Sequence, residues 1–254
     1  MTEPIWSLLG PLIVFNSILL LTVVFFRLTY KAQPKNTDVD LKEHSRFLNR
    51  FFKEYWYWLT TPFVRLIILL KISPNTLTLC GFFISCIAGY VFAEGHIAAG
   101  GWVMIFGATF DMFDGHIARL TGQVSRSGAF FDSVMDRFCE GVVLLGLAAH
   151  YRDSWVLYFV VLALIGSMMV SYTRALGEGV GVEVKEGFMQ RPERIVYLGV
   201  GSVFSPIFSY LLSPWVSIPM DFMNTGAILI IAFMTNITAI QRMKLAMNKL
   251  ENTL

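Results

Sequence analysis

Four aspartates are spaced so that two helices could share one cation: Asp111, Asp114, Asp132 and Asp136. At about 100° per residue, Asp111, Asp114, Gly115, Ala118 and Arg119 fall on one face of a helix. Gly128, Asp132 and Asp136 recur every fourth residue and share one face of the next. Residues 120–127, with Gly122, Ser125 and Ser127, supply a turn between them. Two antiparallel helices joined there would aim all four carboxylates into one small volume. Acids crowded at low dielectric repel one another, and a divalent cation relieves the repulsion. All-oxygen ligation suits Mg²⁺, Mn²⁺ or Ca²⁺. The plainer alternative is four solvated acids at helix ends. Two matched faces argue against it, because ionisable groups at membrane depth are costly and usually functional. The small residues on both faces let helices and a ligand approach closely.

The elements that must position these acids are membrane helices. The chain has 254 residues, 55% of them hydrophobic, and a mean hydropathy of +0.60. That excludes an ordinary soluble domain and predicts an all-α, polytopic integral membrane protein. Residues 1–30 contain an uncharged run, 6–26, long enough to span, with Glu3 before it and Arg27, Lys31 and Lys35 after. Those flanks are the reverse of a secretory signal and predict an anchor helix with its N-terminus outside. Residues 31–45 are polar, contain Pro34 and read as a cytoplasmic linker. In 46–72, Arg46, Arg50 and Lys53 recur at helical spacing opposite Leu48, Phe51, Phe52, Tyr55 and Leu59. Basic and aromatic amphipathicity predicts an interfacial helix, broken at Pro62. A buried membrane helix is the competing reading.

Six further spans follow at about 76–93, 98–120, 128–149, 154–174, 193–213 and 222–241. They make 73–245 the membrane domain, with 246–254 as a cytoplasmic tail. Pro206, Pro214 and Pro219 predict an irregular fifth span. Charge tests the arrangement. With residue 27 cytoplasmic, Arg152 alone among the 20 Lys and Arg lies outside. Both ends of the acidic stretch then face the cytoplasm, where nucleotides are found.

A second polar group falls at the same level. Ser171 and Arg174 end the fourth of these spans, Lys185 lies in the following loop, and Arg191, Pro192, Glu193 and Arg194 open the next. Guanidinium forks suit phosphate oxygens. Positive-inside anchoring explains any one of these cations; together they point to an anionic small molecule.

The acidic stretch has the form D-x2-D-G-x2-A-R-x8-G-x3-D-x3-D, with eight fixed positions across 26 residues. It resembles the signature of the CDP-alcohol phosphatidyltransferase family. The resemblance covers roughly residues 60–240, and residues 1–45 look like an addition. It implies a six-helix transferase core that moves a phosphatidyl group from CDP-diacylglycerol to an alcohol, releasing CMP. It implies that Asp111, Asp114, Asp132 and Asp136 bind Mg²⁺ or Mn²⁺, and that Asp136 is the general base. Gly115, Ala118, Arg119, Ser127 and Gly128 would bind the CDP-lipid. A homodimer and an active site at the cytoplasmic face of an inner or plasma membrane are further implications, and no nucleic acid beyond the CDP moiety is expected. The Arg-Pro-Glu-Arg tetrad resembles the phosphatidylinositol phosphate synthase branch. There Ser171, Arg174, Arg191 and Arg194 would hold inositol phosphate. Leu176 departs from that branch, where a further Arg is expected.

Glycerol 3-phosphate, serine and a second lipid headgroup are the alternative acceptors. A cation transporter with intramembrane carboxylates is a reading from another class, and a catalytically silent scaffold a third. The acids sit toward one surface and no paired broken helices occur, which disfavours transport. Cys80, Cys86 and Cys139 do not form a disulfide framework, and His116 lies within the motif but off its acidic face.

Overall fold

The computed structural model describes residues 5–30, 50–184 and 186–252. The expected linker 31–45, the start of the expected interfacial helix through residue 49, and Lys185 lie outside the described residues. Among those described there are eight helices and no strand. They are α1 (Ile5–Thr29), α2 (Arg50–Leu69), α3 (Pro74–Ala93), α4 (Ile97–Leu120), α5 (Arg126–His150), α6 (Val156–Gly179), α7 (Arg191–Leu212) and α8 (Phe222–Glu251). The chain divides into two compact units between Ile72 and Ser73.

In the first unit, Phe26 of α1 is 1% exposed and packs its ring against Tyr55 and Trp58 of α2. The Thr22 hydroxyl meets the Tyr55 hydroxyl at 2.8 Å. Pro62 does not end α2, contrary to expectation. A proline removes one backbone donor, and nearby hydroxyls can occupy carbonyls in its vicinity. Here Thr60 and Thr61 donate to the Trp56 and Tyr57 carbonyls, at 2.7 and 2.8 Å. Pro206 is likewise carried inside a continuous α7, which has the Ser202 hydroxyl on the Leu198 carbonyl at 2.6 Å.

The second unit is a bundle of α3 to α8. By length and composition, α3, α6, α7 and α8 can each cross a bilayer. The lengths of α4 and α5 are similar, but they carry the acids. The protein is a polytopic integral membrane protein. Within lipid, helices associate through close packing rather than through exclusion of water. The packing here is correspondingly close: Phe92, Leu147, Ala163 and Ala232 are each fully buried in one core cluster. Gly89 of α3 and Gly146 of α5 bring two backbones together, and a Cβ on Gly146 would overlap the Gly89 carbonyl.

The turn between α4 and α5 needs Gly122, whose φ of +67° disfavours other residues. The Ser125 hydroxyl caps α5 by accepting from the Gly128 N–H at 3.0 Å. From this turn α4 and α5 diverge and scarcely touch; α3 packs against both and fills the angle between them. α8 continues to Glu251, ten residues past the expected end of its span at 241. Nothing in the sequence after Ile240 breaks a helix, and the Asn252 N–H closes the last turn on Asn248.

Candidate active site

Asp111, Asp114 and Asp132 each offer a carboxylate oxygen within 4.8 Å of the others. This convergence comes from the divergent α4–α5 pair with α3 as its third wall. Asp114 is 4% exposed. Its Oδ2 accepts from the Thr78 hydroxyl of α3 at 2.6 Å, and its Oδ1 from the Gly115 N–H. These bonds leave the carboxylate one orientation.

Asp136 lies one turn beyond Asp132 and joins the others through a cation. Arg191, at the first turn of α7, places one Nη1 atom 2.7 Å from Asp111 Oδ2 and 2.7 Å from Asp136 Oδ1. The expected acceptor residue Arg191 is thus in direct contact with the acids. Arg194 is not. It is 4% exposed and grips both oxygens of Glu140, with Nη2 to Oε2 at 2.8 Å. Its Nη1 also donates to the Met189 carbonyl at 3.2 Å. Arg174 pairs with Glu178 on its own helix at 3.0 Å, and Ser171 is half-buried one turn before.

Two cavities meet at Thr78. The larger, about 390 Å³, is lined by Asp114, Asp132, Gly115, Ala118, Arg119 and Gly128 with the α4–α5 turn. Ser125 lines it, whereas the expected Ser127 is exposed and does not. A Cβ on Gly115 would stand 3.4 Å from Arg119 Nη1, an ordinary contact, so the two residues lie side by side on the cavity wall. The smaller cavity, about 60 Å³, is lined by Asp111, Asp136, Glu140, Arg191 and Arg194, with Cys139 and apolar residues of α3, α4, α7 and α8. The four acids therefore straddle two chambers, each with at least one arginine.

Glu140 is the residue that sequence reasoning missed. It continues the every-fourth-residue series Gly128, Asp132, Asp136 by one more step, which was signal enough. The three cysteines are free thiols, of which Cys139 lines the smaller cavity beside Asp111 and Asp136, and His116 is buried outside the acidic group. The donor set fits a hard divalent cation: its atoms are all carboxylate oxygens, and one carboxylate is fixed by two hydrogen bonds.

Comparisons with known proteins show the family. Residues 71–240 match the CDP-alcohol phosphatidyltransferase family. The archaetidylinositol phosphate synthase of Pyrococcus horikoshii is 39% identical over 139 residues, 54% of this chain and 73% of its own length. Its namesake in Methanothermobacter thermautotrophicus is 33% identical over 174 residues, 68% of this chain and 83% of the relative. Two crystal structures of Mycobacterium tuberculosis phosphatidylinositol phosphate synthase are similar at 29% identity over 74% of this chain. The form with CDP-DAG bound has a TM-score of 0.63 and is covered over 92% of its length. The complex with manganese and citrate has a TM-score of 0.65 and is covered over 88%.

Proposed function

The chain belongs to the CDP-alcohol phosphatidyltransferase family, and from that premise we propose that it transfers a phosphatidyl group from CDP-diacylglycerol to inositol phosphate, releasing CMP. The observation that carries this reading is the acid cluster astride two cavities, one with Arg119 and the other with Arg191 and Arg194. Two chambers sharing one row of carboxylates suit a donor and an acceptor that must meet at one phosphorus. The relatives named above are archaetidylinositol phosphate and phosphatidylinositol phosphate synthases, which supports that acceptor.

Asp111, Asp114 and Asp132 would hold Mg²⁺ or Mn²⁺, with Asp136 beside them mainly as the base. When bound, such an ion supplies positive charge to the donor diphosphate and to its leaving oxygen. The remaining work belongs to the chain. Gly115, Ala118 and Gly128 keep the wall of the larger cavity shallow enough for a nucleotide, and Arg119 faces its phosphates. Arg191 and Arg194 line the smaller cavity and, with Ser171 and Arg174 of α6 outside its lining, would hold the acceptor's phosphate. The acceptor hydroxyl oxygen attacks the lipid-bearing phosphorus, the bond to the CMP oxygen breaks, and Asp136 takes the hydroxyl proton. Thr78 and the Gly115 N–H keep Asp114 from turning away during the exchange.

The acid-bearing end is read as cytoplasmic. Arg119, Arg126, Arg191 and Lys249 lie at or near helix ends on that side, while Arg152 stands alone among Lys and Arg in the turns at the opposite end. The deciding experiment is an acceptor panel with radiolabelled CDP-diacylglycerol and purified full-length protein. Inositol phosphate should be the best acceptor, with one CMP released per lipid product. Faster transfer to serine, free inositol or glycerol 3-phosphate would overturn the acceptor assignment. Ion flux without CMP release would overturn the reading altogether.

A further inference from the structure

The turn between α4 and α5 carries an apolar residue where a water-facing turn would carry a polar one. Hydrogen bonds close it on both sides. The Gln123 N–H reaches the Ala118 carbonyl at 2.9 Å and ends α4, and the Ser125 hydroxyl caps α5. Val124 is left at the apex, 69% exposed, and Leu120 at the last position of α4 is exposed as well. Arg126 is exposed at the start of α5 and has no ion pair among the described residues. From Gly115 to Phe131 the chain holds two arginines, Arg119 and Arg126, and no carboxylate.

Helix length gives the depth of this turn. α4 has 24 residues and α5 has 25, about 36 and 38 Å at 1.5 Å per residue. The hydrocarbon core of a bilayer is about 30 Å thick, and each headgroup layer adds several Å. With the other ends of α4 and α5 at the opposite boundary, the turn rises about 6–8 Å above the core, and tilt lowers it further. That is the headgroup layer and not bulk water. We propose that the α4–α5 turn is seated there, with Val124 and Leu120 against the upper acyl chains and Arg126 on the phosphates of anionic phospholipids in the surrounding leaflet. Gln123, Val124 and Ser125 also line the larger cavity. The turn is then a lip shared by cavity and leaflet, and the mouth of that cavity opens on lipid. The inference rests on the chain's being a membrane protein and not on the identity of either substrate.

The test places a fluorophore on Val124→Cys in the full-length protein, with Cys80, Cys86 and Cys139 replaced by alanine, in vesicles of mixed phosphatidylcholine and phosphatidylglycerol. Nitroxide-bearing lipids should quench it strongly and aqueous iodide weakly. At equal mole fraction, nitroxide-bearing phosphatidylglycerol should quench better than nitroxide-bearing phosphatidylcholine, by up to about fivefold, the enrichment expected of one arginine at an anionic surface. Arg126→Gln should abolish that preference and leave the depth unchanged. If the alanine replacements prevent folding, the unaltered chain is cross-linked to photoactivatable phosphatidylglycerol, and adducts should map to residues 120–126 and fall away with Arg126→Gln. Quenching by iodide and not by lipid, or no adduct in 120–126, overturns the seating of the turn. A preference for phosphatidylglycerol that survives Arg126→Gln, or none in its absence, overturns the anionic contact. Neither measurement needs turnover, so failure of the lip and failure of transfer to inositol phosphate are told apart.

Discussion

Replacing Arg194 by Met should destabilise the protein far more than a surface substitution would. The guanidinium is 4% exposed and its partner Glu140 15% exposed at the side chain, so little solvent screens the pair. Removing one member strands a carboxylate that has lost two charge-assisted hydrogen bonds. Stranding a buried charge costs about 3–5 kcal/mol. For a chain of this size each kcal/mol moves the melting temperature by about 2–4 °C, giving a fall of roughly 6–20 °C. Glu140→Met should fall by a similar amount from the other side. The double variant Arg194→Met/Glu140→Met replaces the ion pair by apolar side chains of comparable length and should recover most of the loss. Thermal unfolding of the four proteins in one detergent, followed by tryptophan fluorescence, reads the cycle. The same samples separate two roles of Arg194. If it also touches the acceptor, as proposed, the double variant regains stability but keeps a raised acceptor KM. A double variant that loses the sum of the two single losses would refute the pairing. A double variant with normal acceptor KM would confine Arg194 to the fold.

Chelation by EDTA should abolish transfer, and Mg²⁺ or Mn²⁺ should restore it; full activity in metal-free buffer contradicts the ligand set Asp111, Asp114 and Asp132. Asp136→Asn should keep metal and CDP-lipid binding while turnover drops by about 10²–10⁴. Asp111→Asn and Asp114→Asn should instead weaken metal affinity, and equal weakening in all three variants would make Asp136 a ligand rather than the base. Arg152→Cys should react with a membrane-impermeant thiol reagent from outside intact cells, and Gln123→Cys should be protected; the opposite pattern reverses the orientation.

The acid faces were legible because helical spacing is local. The separations of Asp111, Asp114 and Asp132 set their helix faces, and the turn at Gly122 reverses the chain between them. The turn's contribution was harder to assign, since Ser125 and Ser127 are both plausible there and only the cap hydrogen bond distinguishes them. Pro62 misled for a different reason: a proline announces a missing donor, but the loss of one backbone bond does not by itself end a helix. Arg242 of α8 was least legible. It donates to the backbone carbonyls of Glu186 and Val170, 56 and 72 residues away, and a carbonyl leaves no trace in the residue type that carries it. The divergence of α4 and α5 was equally hidden. It depends on α3 entering between them, and spacing within two helices says nothing of a third.

The chamber that holds Asp114 and Asp132 is walled entirely by residues 73–132. Residues of α7 and α8 line only the chamber that holds Asp111 and Asp136. Under the proposed division of donor and acceptor between these chambers, recognition of the two would be separable in heredity. Substitutions on the last two helices can retune the choice of alcohol while the nucleotide grip is inherited unchanged, and an engineer who seeks a new headgroup can confine a library to Arg191–Leu198 and the stretch around Ile231.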